Sequence, residues 1–409
     1  MARFYIQVHI PDPDSTPSNK TIVVPPDDTH YGPWKVGEAL YTYGVGDASL
    51  GLVFRSLNAG QTWECMDEAN SVPWGFVCFD AVNQRITVAY EAGDVAGFPL
   101  SLKDFACSTN TWGASYARTG PAIFFGGGDL LIKANGDKVV LFESLLASTT
   151  DTRIKYTIWN GSAWSAPQVI TDHTPDPEDI NFRGAAIEPA SQNIHCVYSY
   201  VEVSGNTLYY HRVLQTSGAL GPVTLLDTQV FNGPQRVDLG HGRPISFFQN
   251  KVYIFAVRGE LCNAKVGTPA ALPTAFSEVA IANHSASSTD SANNSTVDIT
   301  GLVSEDGSQL TALHTSEDGE LGHDAFTYSM RIYRSVTSDG TTWSESLFFD
   351  FWPSWDAVRG ISPANLGTGG VDGIGAFANF PRSAVMFYMR ACECDGGAVI
   401  AADNYGYTA

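Results

Sequence analysis

Short apolar or alternating runs recur along the chain, and their order is regular. ITVAY (86–90), KVVLFE (138–143), NIHCVYSY (193–200) and KVYIFAV (251–257) are the strongest. Shorter runs precede several of them: PAIFF (121–125), GAAIEP (184–189) and RPISFF (243–248). A further run follows in RIKYTIW (153–159), TLYYHRV (207–213) and MRIYRSV (330–336), each leading into a turn. Strong helical periodicity is absent, so these runs predict strands. Each unit then reads as an inner, a second and a third strand, a turn carrying glycine and an aromatic residue, and an outer strand.

The turns supply the repeat. In FRSLNAGQTW (54–63), Asn58 can bond its own backbone two residues on, Gly60 supplies positive φ, and Trp63 opens the next strand. WNGSAWSAPQVI (159–170) and TSDGTTWSESLFF (337–349) repeat the spacing, giving Gly60/Trp63, Gly161/Trp164 and Gly340/Trp343. Degenerate copies place Trp112, Gly221 and Phe276 at the anchor position. The anchors at 63, 112, 164, 221, 276 and 343 lie 49, 52, 57, 55 and 67 residues apart. A period of this size in a chain of short strands predicts an all-β fold, a β-propeller.

Six anchors account for six four-stranded blades between about residue 36 and about residue 349. GVDGIGAF (370–377), AVMFYMRA (384–391) and AVIAADNYGY (398–407) remain, with ARFYIQVHI (2–10) at the start. Together they predict a seventh blade closed by the N-terminal strand, because an open ring leaves unpaired edges. Six blades with a separate terminal strand is the alternative. The whole of 1–409 reads as one propeller domain. Residues 11–35, rich in Pro and Asp, read as an extended arm within it.

Ser56-Leu57-Asn58-Ala59-Gly60-Gln61-Thr62-Trp63 resembles the Asp-box, or BNR repeat, of the sialidase superfamily. That motif has the form Ser-x-Asp-x-Gly-x-Thr-Trp, with Asn58 here in the Asp place and Ser338 there in the Gly340 copy. In that family the box staples a hairpin on the outer rim, away from the active site. The resemblance therefore implies a structural role for Ser56, Asn58, Gly60, Trp63, Gly161, Trp164, Gly340 and Trp343.

Charge narrows the partners. With 43 acidic and 23 basic residues, the formal charge of −20 repels phosphates, so no nucleic-acid partner is expected. No apolar run of 18 residues occurs, so no membrane insertion is expected, and the N-terminus lacks the pattern of a signal peptide. The seven cysteines read as reduced thiols. Acidic loops at 172–182 and 316–324 carry oxygen ligands suited to Ca²⁺ without the full spacing of a calcium loop. They read as solvated loops, so neither a metal nor a cofactor is expected.

Candidate chemistry centres on arginine. Arg118, Arg183, Arg243 and Arg359 stand just before the predicted inner strands, where equivalent positions converge on one channel mouth. Their forks could hold a carboxylate or sulfate; the competing reading is that they bond neighbouring carbonyls and acids. The resemblance implies an arginine triad with a Tyr nucleophile and acidic partners. Yet Phe54-Arg55-Ser56-Leu57 shares only two residues with the Phe-Arg-Ile-Pro segment of sialidases, and no acid follows their pattern. A polysaccharide lyase would need a His or Tyr base. His195, Tyr210, His211 and His241 offer one, with His195 reading as a core residue. Catalytic residues are left unassigned, and the glycan-binding candidates are Arg118, Arg183, Arg243, Arg359, His241 and Tyr210. The expected function is a non-catalytic structural or adhesive propeller of a virus particle, such as a phage tail or capsid decoration. It would assemble in the host cytoplasm, with other virion proteins, copies of itself and host surface glycan as partners. The alternative is a sialidase-like glycoside hydrolase or a polysaccharide lyase acting on an anionic glycan.

Overall fold

The computed structural model describes residues 2–9, 22–23, 31–46, 50–57, 64–73, 75–91, 100–118, 127–144, 153–171, 180–231, 237–239, 244–258, 261–269, 272–283, 296–304, 307–318, 328–354, 358–364, 373–380 and 383–392. Among the described residues helical structure is confined to short 3₁₀ turns, Glu68–Asn70 and one at Pro269. The strands pair antiparallel into seven sheets, numbered here in chain order. Sheet 1 runs Tyr31–Val36, Ala39–Gly46, Leu50–Ser56, Glu64–Met66, with two short flanking strands. Sheet 2 runs Gly75–Asp80, Arg85–Glu91, Leu100–Ala106, Thr111–Ala117, and sheet 3 runs Gly128–Ile132, Lys138–Ser144, Arg153–Trp159, Gln168–Val169. Sheet 4 comprises Ile180–Ile187, Ile194–Val201, Thr207–Leu214 and Thr224–Gln229. In sheet 5, Val237–Leu239 and Ile245–Phe248 both pair with Lys251–Arg258, followed by Leu261–Gly267 and Ser277–Asn283. Sheet 6 comprises Thr296–Val303, Leu310–Asp318, Tyr328–Thr337 and Ser344–Ser354.

Sheet 7 joins the two ends of the chain. Val358–Ala364, Gly373–Phe380 and Ser383–Cys392 are followed by Ala2–His9, which pairs from Ala2 opposite Cys392 to His9 opposite Val385. The first strand of each sheet packs on the first strand of the next, and that of sheet 7 returns to that of sheet 1. The fold is a β-propeller, with these first strands lining its axis.

Burial follows distance from the axis. Second strands are covered on both faces, so Arg85–Glu91 and Lys251–Arg258 are buried along nearly their whole length. Outer strands such as Thr111–Ala117 and Ser277–Asn283 are mostly exposed. The apolar clusters lie between sheets. Tyr43, Val88 and Phe105 fill the seam of sheets 1 and 2, and Leu100, Leu102, Val140 and Phe142 that of sheets 2 and 3. Burial of such side chains contributes about 1.5–3 kcal/mol each, so the seams hold the ring together.

Trp164, Gly221, Phe276 and Trp343 fall between the third and fourth strands of their sheets, and Trp112 is the second residue of the fourth strand of sheet 2. Trp112 is buried edge-on to Phe105 at 5.4 Å, within the seam facing sheet 1. Trp164 donates Nε1–H to Tyr116 O of sheet 2 at 3.3 Å, and Trp343 packs with Phe248 and Tyr253 of sheet 5. Each aromatic staples its sheet to the preceding one. Trp164 and Trp343 are only half-buried. Asn58, Gly60 and Trp63 lie outside the described residues; Ser56 is buried.

One turn, the arm and the strands of sheet 7 differ from the sequence expectations. Ser338 is not the Asp equivalent: Asp339 accepts from the Thr341 and Thr342 amides at 2.8 and 2.7 Å, beside Gly340 at φ 74°. Asn160 does the same for Ser162 and Ala163, beside Gly161 at φ 90°. The turn-forming side chain thus immediately precedes the glycine. The first described strand of sheet 3 is Gly128–Ile132, whereas PAIFF (121–125) lies outside the described residues. In the predicted arm, Ile22–Val23 pairs with Val45 and Gly46, and Tyr31–Val36 is the first strand of sheet 1. In sheet 7 the first strand is Val358–Ala364, and 398–407 lies outside the described residues.

Candidate functional site

The first strands of sheets 2 and 3 pair with their neighbours without a break. Those of sheets 4, 5, 6, 7 and 1 are each interrupted. In sheet 4, Phe182 faces Tyr198 and Gly184 faces Val197, so Arg183 is an extra residue. In sheet 6, Val297 and Asp298 stand opposite Thr315 alone, and in sheet 7, Gly360 and Ile361 stand opposite Ala376. Gly32 and Pro33 oppose Thr42 in sheet 1. Sheet 5 has the largest break: Leu239 faces Ala256, Ile245 faces Ile254, and the Phe255 amide donates to Pro244 O at 2.8 Å, with 240–243 outside the described residues. Each break opposes the middle of a second strand, so the five form a belt at one height around the axis.

Arg359 begins the break in sheet 7, and His241 and Arg243 lie outside the described residues. Gly184 follows the sheet 4 bulge at φ 155°, and a Cβ there would stand 2.5 Å from Pro244 Cδ. Only glycine lets the first strands of sheets 4 and 5 approach so closely.

Arg183 turns away from the axis. Its Nε donates to Ser199 Oγ at 3.1 Å, and its guanidinium lies 6.0 Å from the centre of the Tyr209 ring on the third strand. Tyr210 is also on a third strand, stacked on Tyr198 at 5.7 Å. Burial, then nearby Glu202 and Tyr200, raises its phenol pKa. Arg118 does not precede an inner strand directly. It closes the outer strand of sheet 2, where its amide donates to Leu100 O at 2.8 Å. Its side chain is buried, and Nε has no hydrogen-bond partner among the described residues. The sequence thus names residues at different radii of the ring, and of the candidate arginines Arg183 and Arg359 stand on described first strands.

His195 and His211 are core residues. Their rings meet at Nδ1 and Nε2, 2.9 Å apart, and take the edges of Phe247 and Phe276 at 5.0 Å each. Burial pushes His195 down to about 4; burial and then the charge of His195 push His211 down to about 3. Both are neutral near pH 7. Glu188 stands 3.8 Å from His195 Nε2. No cluster of three metal-binding side chains occurs among the described residues, and most of the two acidic loops lies outside them.

No family model and no curated protein matches the chain. Solved structures do. A polysaccharide lyase superposes with a TM-score of 0.51 at 8% identity, over 94% of this chain and 98% of that one. A prolyl endopeptidase gives 0.50 at 11% identity, over 88% of this chain and 46% of that one, so this chain spans about half of it. A sialidase of Trypanosoma rangeli gives 0.44 at 11% identity, covering 95% of this chain and 60% of that one. At such identities the likeness is one of fold, and the fold it shows is the β-propeller.

Proposed function

We propose that the chain is a non-catalytic adhesive propeller that holds an acidic glycan in its channel mouth. The supporting observation is the belt of five interruptions in consecutive first strands. Bulges re-aim side chains and concentrate beside binding sites. Arg359 stands at one break, and the sequence between Leu239 and Ile245, where the pairing of sheet 5 is broken, contains His241 and Arg243; arginine is the cation that grips carboxylate or sulfate with two donors at once. The non-catalytic half of the reading rests on three of the four proposed bases, the fourth, His241, lying outside the described residues. His195 and His211 are sealed in a seam, and Tyr210 is stacked two strands from the axis with its phenol held protonated by burial. The virus-particle setting, with other particle proteins or copies of this chain as partners, rests on the Asp-box resemblance alone.

Calorimetric titration with a polyuronate, a sulfated galactan and a neutral glucan tests this reading. The two acidic polymers should bind, weaken as salt rises, and lose most of their affinity in the Arg243→Ala/Arg359→Ala double variant. Equal binding of the neutral glucan would sink it. Because one fold neighbour is a polysaccharide lyase, the same mixtures should be assayed for new unsaturated and reducing ends. Their steady appearance would replace adhesion with cleavage.

A further inference from the structure

We infer that the seam between sheets 2 and 3 contains a second site, separate from the channel, in which the Arg118 guanidinium binds an oxyanion. Arg118 is 7% exposed, its Nε has no hydrogen-bond partner, and no ion pair among the described residues includes it. A guanidinium cannot shed its proton to escape burial as lysine can. Leaving one uncompensated away from water is among the costlier arrangements a fold can hold. Burial alone is what lowers its pKa, with no nearby carboxylate acting against it.

The seam around it is built for negative charge. Strand alternation puts Arg118 on the same face as Tyr116, which stacks on Trp159 of sheet 3 at 5.3 Å. On the facing strand, Ile154 and Tyr156 pack toward sheet 4, so Arg153 and Lys155 share the face of Trp159. Both lie at the same end of the seam as Arg118, because the outer strand of sheet 2 ends there and the third strand of sheet 3 begins there. Lys155 Nζ reaches Ser144 Oγ at 2.9 Å. Asp80, Asp104 and Glu91 share this face of sheet 2 with Ala89; the two aspartates lie at the opposite end, where Lys138 binds Asp104, and Glu91 forms no ion pair with Arg118. Three cations from two sheets therefore lie at one end of one seam, Arg153 and Lys155 with interactions of their own. The fork of Arg118 fits the paired oxygens of a carboxylate or a sulfate. The same chemistry is carried by a free ion and by the acidic group of a sugar chain.

Melting temperature measured against inorganic sulfate, with chloride at matched ionic strength as reference, tests the site. The wild type should show a saturable gain, as expected of a ligand bound only by the folded state. Arg118→Met should show only the unsaturating drift common to all proteins in sulfate, and should melt in chloride no lower than the wild type. Arg118→Lys keeps the charge without the fork and should bind sulfate about ten-fold more weakly. Equal sulfate responses in wild type and Arg118→Met would overturn the site. So would a Met variant that melts several degrees lower in chloride or does not fold, because the guanidinium would then serve the fold. The sulfated galactan identifies the source. If its affinity falls with Arg118→Met, the pocket reads a polymer; if only the response to inorganic sulfate falls, it holds the free ion. Arg359→Ala should leave the sulfate response intact, so failure of the channel reading would leave this one standing.

Discussion

Two seams of the propeller bury polar groups in opposite ways. Between sheets 4 and 5, Lys265 lies 2.9 Å from Asp227 and 2.5 Å from Glu278, and Arg258 pairs with the same Asp227. The two imidazoles in that seam, both neutral, share one hydrogen bond between His195 Nδ1 and His211 Nε2. Between sheets 2 and 3, Lys138 reaches both oxygens of Asp104 at 2.5 and 2.7 Å, and Thr87 Oγ1 donates to the same carboxylate at 2.6 Å. Arg118, buried at the other end of that seam, has no such partner. Polar groups that knit one sheet to the next come with their counterparts. Arg118 departs from this as a buried cation without an ion pair among the described residues, at the face where the first strands begin, which is where a ligand could arrive.

The largest effect should come from breaking a completed pair. Lys138→Met leaves Asp104 buried without its ammonium, and chemical denaturation should show a loss of about 3–5 kcal/mol. A loss no greater than that of an exposed lysine would mean that these ion pairs do not hold the seams. The contrast with Arg118→Met, expected to lose nothing in chloride, is the sharpest form of the comparison.

Acid should act first on the other seam. Unfolded histidine titrates near 6.5, whereas His195 and His211 are held at about 4 and about 3. The unfolded chain therefore takes up protons first. Stability is fully present above pH 6.5 and is lost as pH falls through 4 toward 3, by an amount on the order of a few kcal/mol. Melting temperature against pH should fall less steeply over that range in a His195→Leu/His211→Leu variant than in the wild type. Parallel curves would assign the acid sensitivity to other groups.

The smallest expected change concerns the turn that delivers Trp164 into the seam of sheets 2 and 3. Asn160→Ala removes the acceptor of the Ser162 and Ala163 amides and should cost about 1 kcal/mol. Asn160→Asp, which keeps that acceptor, should recover most of it.

The rim of the propeller was legible because its turns have few chemical solutions. Gly161 and Gly340 need positive φ, and an aromatic residue follows at a fixed distance to fill the preceding seam. Second strands were legible because burial on both faces makes them apolar throughout. First strands were harder to read. An extra residue at Arg183 or Asp298 shifts the two-residue alternation, so a periodicity argument places such side chains on the wrong face. That is why Arg183, expected at the channel, lies over Tyr209 instead. Arg118 was grouped with the channel arginines by its distance from PAIFF, while its position at the end of an outer strand places it in a seam. Ser338 was chosen by strict spacing from Trp343, yet a turn needs only an acceptor beside its glycine, and Asp339 provides it.

The strand that completes sheet 7 also determines how the ring answers to force. Ala2 is paired with Cys392, and the ladder runs from there to His9 opposite Val385. Tension applied between residues 2 and 392 therefore loads the first hydrogen bonds of the ladder alone. The strand should peel away bond by bond, as a zip opens, instead of shearing all its bonds together. A propeller tethered at these two points would yield at low force and would re-close from the far end, with His9 and Val385 as the last pair to part.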